Sequence, residues 1–356
     1  MTAPSLSRTE GRSALQIRVR DLAKVYKLEA GIFASAQRRV WAVNGVSFDI
    51  RAGETYGLVG ESGSGKTTIA RMLVQLVEQT AGTIEYYPKE SRSSEVTESR
   101  DLPPPPWGVH RNDRRLLRRY RSEVKYIFQD PSSALDPRMS AFRILSSGSR
   151  FGDRENDSPR PLRAELRERA TDVLRAVGLR EADLDRRPSE FSGGQRQRLS
   201  LARALFSRPT TLICDEVVSA LDVSVQGQIL NLLVDLKRAL SLTILFIAHD
   251  LTVVSYMADR VCVLYGGSVM EEAPSASLVQ RPLHPYTQLL YRTIPRLGGM
   301  PPDRDQTAAA TFNPTRAPVG CPFVGRCPRE EAVCRTERPE LRVVAPEHRV
   351  ACHVVT

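Results

Sequence analysis

The sequence predicts an α/β fold on a parallel sheet whose strands end in functional residues. Three stretches predict it. The apolar run Tyr56-Gly57-Leu58-Val59 leads into Gly60-Glu61-Ser62-Gly63-Ser64-Gly65-Lys66-Thr67-Thr68, and the helix-like run Ile69-Ala70-Arg71-Met72-Leu73-Val74 follows. The run Thr211-Leu212-Ile213-Cys214 ends in Asp215-Glu216, and Thr243-Ile244-Leu245-Phe246-Ile247-Ala248 ends in His249-Asp250. Short apolar runs bounded by polar residues read as strands buried on both faces. Open parallel sheets place their ligands beyond the carboxyl ends of such strands.

The remaining elements follow from patterning. The chain has 356 residues, 41% of them hydrophobic, which suits one large or two unequal domains with a sizeable core. Residues 1–14 are polar and aperiodic, a disordered lead without the apolar core of a signal peptide. No run approaches the roughly 20 apolar residues of a membrane helix, so a soluble, cytoplasmic chain is expected. Leu15 to Arg20 alternates as a half-buried strand; Val40 to Val43 and Val46 to Ile50 read as two more. Gly82 to Tyr86 is a short strand. Residues 88–113, with Pro103-Pro104-Pro105-Pro106, read as a flexible surface insertion. Val124 to Phe128 is a strand that ends at Gln129, and residues 141–148 and 161–177 are helical around a polar link. Ser192 caps a helix through Leu205, another helix spans 224–240, and residues 260–271 form a hairpin at Gly266-Gly267. Beyond it periodicity weakens, so 271–320 reads as a linker into a segment, 321–356, that holds four cysteines.

The glycine loop fits G-x-x-x-x-G-K-[ST] between a strand and a helix, the context of a phosphate cradle. Gly60, Gly63 and Gly65 let the backbone N–H groups curl inward, with Ser62 and Thr68 in the same turn. The helix start adds its positive dipole end. Lys66 supplies a charge for the β- and γ-phosphates, and Thr67 a hydroxyl for Mg²⁺. Asp215 suits Mg²⁺ coordination through water, and Glu216 suits polarising an attacking water. His249 suits a γ-phosphate sensor. Ser192, Gly193, Gly194 and Gln195 expose backbone N–H groups at a second helix start, a second anion site or an ordinary cap. Tyr26, ahead of the loop, either stacks on an adenine ring or packs on the core.

The formal net charge of +10 suits nucleic acid, an anionic membrane surface or phosphate ligands. The arginine run 111–121 is either a solvated helix face or a contact for a membrane partner or acidic lipid. Cys214 and Cys262 sit in strand-like runs and read as buried small hydrophobes. Cys321, Cys327, Cys334 and Cys352 are spaced C-x5-C-x6-C-x17-C. Without a signal peptide a metal site is the better reading than disulfides. Chemistry alone leaves zinc and iron–sulfur open, with His348 and His353 as further donors.

In this order the pieces resemble the ATP-binding cassette of ABC transporters: the phosphate loop 60–67, Gln129 as the Q-loop, Phe191 to Gln195 as the signature, Asp215-Glu216 as Walker B, Ser219 to Asp222 as the D-loop and His249 as the switch histidine. The resemblance covers residues 15–270. It implies a P-loop ABC ATPase: a RecA-like core, an antiparallel β subdomain and a helical subdomain over about 132–205. Gln129 to Met139, the Phe-Ser-Gly-Gly-Gln-Arg-Gln-Arg signature, His284-Pro285-Tyr286-Thr287-Gln288-Leu289-Leu290 and the terminal Cys-Pro-Phe…Arg-Cys-Pro segment further resemble the oligopeptide/dipeptide permease subfamily.

The resemblance implies ATP and Mg²⁺ as ligands, with Gln129 near the metal and in catalysis, and a [4Fe–4S] cluster on the four terminal cysteines. It implies a second cassette as partner, whose loop faces this chain's Ser192–Gln195 turn. Two transmembrane permease subunits dock near Gln129 and 132–150, with an extracytoplasmic binding protein beyond them, at the cytoplasmic face of the plasma membrane. An ATPase subunit of an oligopeptide/dipeptide importer is therefore expected; a nickel or other small-solute importer is the alternative. A soluble ABC ATPase on ribosomes or nucleic acid commonly has two cassettes or long heptads; the chain has one loop and one signature, so no direct nucleic-acid partner is expected.

Overall fold

The structure, a computed structural model, describes residues 14–28, 38–88, 105–147, 163–292, 312–315 and 319–355. Its centre is an eight-stranded sheet. Strand β3 (Thr55–Val59) runs parallel to β8 (Thr243–Ala248) on one side and β9 (Arg260–Tyr265) on the other. Beyond β8 lie β7 (Thr211–Asp215) and β6 (Val124–Ile127), also parallel.

The period of two along these strands divides the core. Leu58, Leu245, Ile213 and Cys262 face one side and pack with Phe48, Ile17 and Ile69. Val59, Phe246, Cys214 and Val263 face the other side and pack with Leu199, Leu201 and Ala170. With both faces covered, the strands read as unbroken apolar runs, which is why the sequence exposes them. Cys214 and Cys262 are fully buried in this sheet, as expected, and burial pushes the Cys214 thiol up to about 12.

The first covering layer is a four-stranded antiparallel sheet in the order β2-β1-β4-β5. It holds β1 (Leu15–Leu28), β2 (Arg38–Arg51), β4 (Ala81–Tyr86) and β5 (Trp107–Gly108). Two strands were expected over 40–50, but β2 is continuous through Asn44-Gly45, its register against β1 adjusted by bulges instead of a turn. The insertion expected over 88–113 is also shorter at its end. Trp107 pairs with Tyr86, is buried, and stacks obliquely on it at 5.9 Å. Residues 89–104, with the first two prolines, lie outside the described residues, as do 1–13 of the lead and the 149–160 link.

The arginine run forms helix α2 (Arg114–Glu123), capped by Asp113. Leu116 and Tyr120 turn inward, and the Tyr120 hydroxyl donates to the Leu73 carbonyl at 2.7 Å, while Arg114, Arg115 and Arg118 stay exposed. The opposite covering layer is helical. Ala141–Ser147, Arg163–Ala176 and Gly193–Leu205 pack on one another and close over the second core face. Among the described residues no helix is long and apolar enough to cross a membrane.

The expected hairpin is present: β9 turns at Gly266-Gly267 into β10 (Ser268–Pro274). The first part of the linker expected over 271–320 is ordered instead, while 293–311 and 316–318 lie outside the described residues. The chain continues in β10 and then two helices, Ser275–Gln280 and Pro285–Arg292. The terminal segment then adds β11 (Arg342–Ala345) and β12 (His348–Val350) to the edge of the same eight-stranded sheet. Two buried carboxylates hold it there. Glu271 accepts from the Leu283 and His284 N–H groups at 2.8 and 2.9 Å and meets His348 Nε2 at 2.7 Å. Glu272 takes the guanidinium groups of Arg260 and Arg349. A carboxylate this deeply buried is tolerated only when saturated in this way.

His284 is also buried, and its Nδ1 accepts from the Tyr286 N–H at 3.0 Å. Burial lowers its pKa to about 4. A histidine held neutral in the fold takes up its proton on unfolding, so stability is present above its ordinary value near 6.5 and is lost as pH falls through about 5 toward 4. Unfolding measured at pH 7 and pH 5 should therefore show a loss of about 2 kcal/mol from this residue. His284→Gln should flatten that part of the pH dependence; an unchanged slope would contradict the assignment.

Candidate nucleotide site

The glycine loop leaves the carboxyl end of β3 and enters helix α1 (Lys66–Leu73). Two glycines allow the curl. A Cβ on Gly60 would lie 2.1 Å from the Leu264 carbonyl oxygen. Gly65 has φ of 101° and a Cβ there would meet the Ala42 carbonyl at 2.5 Å. Gly65 is the N-cap of α1 and makes no side-chain cap bond, so the first-turn N–H groups remain for an anion. Lys66 is buried and folds back on the loop. Its Nζ donates to the Gly60 and Glu61 carbonyls at 2.8 and 2.9 Å. Burial lowers its pKa, offset by the nearby carboxylates of Glu216, Asp215 and Glu61. Its direct partners are neutral carbonyl oxygens, which leaves the ammonium charge able to meet a phosphate. Ser62 and Gly63 are exposed on the loop, and Thr68 is half-buried in the first turn of α1.

Thr67 Oγ1 donates to Asp215 Oδ1 at 3.1 Å. The other oxygen, Asp215 Oδ2, accepts from the Tyr126 hydroxyl. Burial and the adjacent Asp215 raise the Tyr126 pKa well above its ordinary value, so the phenol stays a donor. Tyr126 was not singled out from the sequence. The signal was its position: strand β6 runs parallel to β7 with Tyr126 opposite Ile213, near the carboxyl ends of both.

Glu216 follows at the end of β7, with its backbone in the left-handed region at φ of 49°. Such a conformation is costly for a residue with a side chain and clusters at functional sites. It is held by the Glu216 N–H to the Ile247 carbonyl at 3.0 Å and by Ser219 Oγ on the Glu216 carbonyl at 2.9 Å. Gln129 Nε2 donates to Glu216 Oε2 at 2.7 Å, and His249 Nδ1 lies 4.0 Å from Glu216 Oε1. Glu216, His249 and Asp250 share a pocket with Ser219 and Gln226, with about 150 Å³ of free space. Lys66, Thr67, Gln129, Asp215, Glu216 and His249 thus converge at the ends of β3, β6, β7 and β8. The donor set around Thr67, Asp215 and Gln129, all hard oxygens or amide, suits Mg²⁺.

The Ser192–Gln195 turn stands apart on the helical layer. It is a capping box: Ser192 Oγ accepts from the Gln195 N–H at 3.3 Å and Gln195 Oε1 from the Ser192 N–H at 3.0 Å. Gly193 meets nothing within 4 Å, whereas a Cβ on Gly194 would strike Val225 at 2.7 Å. Tyr26 lies in β1 opposite Val40, half-buried, with Lys24 Nζ 5.0 Å over its ring; it is not among the fully packed core aromatics.

The four terminal cysteines gather at one corner. The Cys321 N–H donates to the Cys334 carbonyl at 2.8 Å, and burial pushes the Cys321 thiol up to about 11, with the other three thiols adding to the rise. Proximity sufficient for charges to interact is not ligand geometry. Among the described residues no group of three or more His, Cys, Asp or Glu side chains is placed to hold a metal. The thiols therefore lie near one another without forming a ligand group for a single ion, and nothing in this geometry supports the expected [4Fe–4S] cluster or zinc. His348 is committed to Glu271, and His353 Nε2 faces the Glu337 carbonyl at 3.0 Å, so neither completes such a set.

A phosphate loop, paired carboxylates on a parallel sheet, an antiparallel sheet and a capped helical layer together define an ABC-type ATPase cassette. Solved cassettes share this fold. An ATP-binding cassette crystallised as a dimer in a post-hydrolysis state with ADP and Pi aligns at a TM-score of 0.57 and 26% identity, over 73% of this chain and 98% of that one. The ABC transporter family matches residues 43–219, and the oligopeptide/dipeptide transporter C-terminal region matches 270–334. A putative peptide import ATP-binding protein of Brucella ovis is 43% identical over 340 residues, 94% of this chain and 96% of that protein. The oligopeptide transport ATP-binding protein AppF of Bacillus subtilis is 38% identical, over 95% of this chain and 97% of its own length. The chain belongs to the ATP-binding subunits of ABC transporters, in the oligopeptide/dipeptide group. It is an ATP-hydrolysing transporter subunit, and ATP with Mg²⁺ are its ligands.

Lys66→Ala is expected to weaken ATP binding by at least about a hundredfold, since it removes a desolvated charge from the phosphates. Titration of the full chain with a fluorescent ATP analogue measures this, and unchanged binding would remove the loop from the nucleotide site.

Proposed function

We propose that this chain energises the import of oligopeptides or dipeptides through separate permease subunits, working at the cytoplasmic face of the membrane. The observation that carries the catalytic half is the convergence of Gln129 and Asp215-Glu216 on the loop of Lys66 and Thr67. The cargo half rests on likeness to peptide import subunits along nearly the full chain, including the C-terminal region at 270–334.

In this reading Tyr26 stacks on the adenine. Backbone N–H groups of the loop, from Gly60 through Thr68 with Ser62, Gly63 and Gly65, bind the β-phosphate, and Lys66 reaches the γ-phosphate. Thr67, Asp215 and Gln129 hold Mg²⁺, which when bound neutralises charge on the phosphate oxygens. Tyr126 fixes Asp215 from behind. Glu216 orients and polarises the attacking water, and His249 reads the γ-phosphate from the neighbouring strand end.

The Ser192, Gly193, Gly194 and Gln195 turn serves another nucleotide, bound on a second cassette. Its N–H groups stabilise phosphate charge that the other chain's loop cannot surround alone. Closure of two cassettes then moves the permeases, which contact the Gln129 region and the helices after it, while an extracytoplasmic binding protein delivers the peptide.

Glu216→Gln is expected to cut turnover by about a thousandfold or more while ATP binding is kept, because the amide keeps the shape and loses the base. Steady-state hydrolysis by the assembled transporter, alongside nucleotide titration, tests this; hydrolysis near the normal rate would exclude Glu216 from the chemistry. Peptide-loaded binding protein should stimulate the reconstituted complex, and stimulation by a non-peptide solute alone would overturn the cargo.

A further inference from the structure

The phosphate loop carries a carboxylate of its own. Glu61 follows Gly60 directly, and its negative charge acts on Lys66. A loop that receives a polyanion is poorly served by a bare acidic side chain, since like charges in a partly desolvated site repel. The structure shows what becomes of that charge. Arg326, from the C-terminal segment between Cys321 and Cys327, meets Glu61 in a two-point fork: Nη1 to Oε2 at 2.8 Å and Nη2 to Oε1 at 2.9 Å. The Arg326 side chain is only 10% exposed, against 40% for Glu61.

The fork is held from behind. Arg326 Nη1 also donates to the Tyr265 hydroxyl at 3.0 Å, and its guanidinium lies over the rings of Tyr265 and Phe323 at 5.4 and 5.6 Å. Those rings pack with Tyr286. The Tyr286 hydroxyl in turn accepts the Glu61 N–H at 3.0 Å. Glu61 is therefore gripped at its carboxylate and its N–H by residues more than 220 positions away, while its carbonyl takes Lys66. A guanidinium is the residue for this task, because its planar fork matches a carboxylate and its charge is permanent.

We infer that Arg326 is a positioning residue of the nucleotide site: it draws the Glu61 carboxylate onto the C-terminal segment and cancels its charge where phosphates enter. The role of the terminal segment then reaches beyond packing on the sheet edge. It sets the electrostatics of the phosphate loop, and MgATP affinity depends on it. The inference rests on nucleotide binding at residues 60–68.

The test is titration of the full chain with fluorescent MgATP analogue, with KM and kcat read in the assembled transporter. Arg326→Ala should raise Kd and KM by about tenfold, the order for one partly screened charge, and leave kcat within about twofold. The double variant Glu61→Gln with Arg326→Ala should return Kd to within about threefold of the unaltered chain, because the charge that Arg326 cancels is gone. Arg326→Lys, which keeps the charge and loses the fork, should stay within about threefold as well. Unchanged affinity in Arg326→Ala, or weakened affinity that Glu61→Gln does not relieve, would overturn the inference; the second result would leave Arg326 a merely structural tie. Should Arg326→Ala fail to fold, Glu61→Gln alone decides: it should bind as tightly as the unaltered chain or more tightly, and weaker binding overturns the inference. Failure of the unaltered chain to bind would overturn the nucleotide reading itself, a result distinct from both.

Discussion

The hydrogen bond from Thr67 to Asp215 joins two strand ends that are not neighbours. β8 lies between β3 and β7, so the first turn of α1 must reach across it to meet the carboxylate. The reach succeeds because the parallel strands end at nearly the same level, with Val59 opposite Ala248 and Asp215 opposite Ile247. Everything polar in the site depends on that levelling. Tyr126 arrives from β6, Glu216 from the residue after β7, and His249 from the residue after β8, each within one position of its strand's end or just inside it. The sheet needs both faces covered to hold the level, and the antiparallel sheet and the helical layer provide those covers.

The same arrangement explains why much was legible in the sequence. Strands buried on both faces leave unbroken apolar runs, and polar residues at their ends stand out by contrast: Asp215 and Glu216 after Cys214, His249 after Ala248. Helix caps were legible at Ser192 because a short hydroxyl before two glycines has few other uses. What was not legible was set by contacts remote in sequence. β2 runs through Asn44-Gly45, which reads locally as a turn, because Asn44 is held by Gly267 and Gly266 of the β9–β10 turn, with N–H to carbonyl at 2.8 Å and Nδ2 to carbonyl at 3.0 Å. Trp107 enters the antiparallel sheet after a long insertion because Tyr86 offers both a strand partner and a ring.

Residues after 271 read as a linker for a related reason. Glu271 and Glu272 look like solvated positions, yet both are buried, their charges met by His348, Arg260 and Arg349 and by two backbone N–H groups. A hydrophobicity pattern cannot reveal a buried carboxylate that is met by side chains of the terminal segment, His348 and Arg349, 77 residues further on. The cysteines show the converse. Their clustering was legible from spacing alone, but ligand geometry is a property of side-chain placement, which spacing does not determine. The terminal segment instead shows itself as part of the sheet and, through Arg326, as a neighbour of the phosphate loop.

In the proposed reading the nucleotide is held from one side only. Loop, carboxylates, glutamine and histidine face it from the ends of β3, β6, β7 and β8, while the Ser192–Gln195 turn lies on the helical layer with Gly193 unobstructed. The central claim is that the other side is closed by the same kind of turn from a second cassette. The most direct measurement is photo-cross-linking in the assembled transporter with a non-hydrolysable ATP analogue that carries its reactive group on the γ-phosphate, followed by peptide mapping. The account predicts that nucleotide bound at one polypeptide's loop labels, across the population of complexes, both the 60–68 loop or Glu216 region of that polypeptide and the signature turn of the other. Labelling confined to a single polypeptide, under conditions where both cassettes are present and nucleotide is bound, would contradict it.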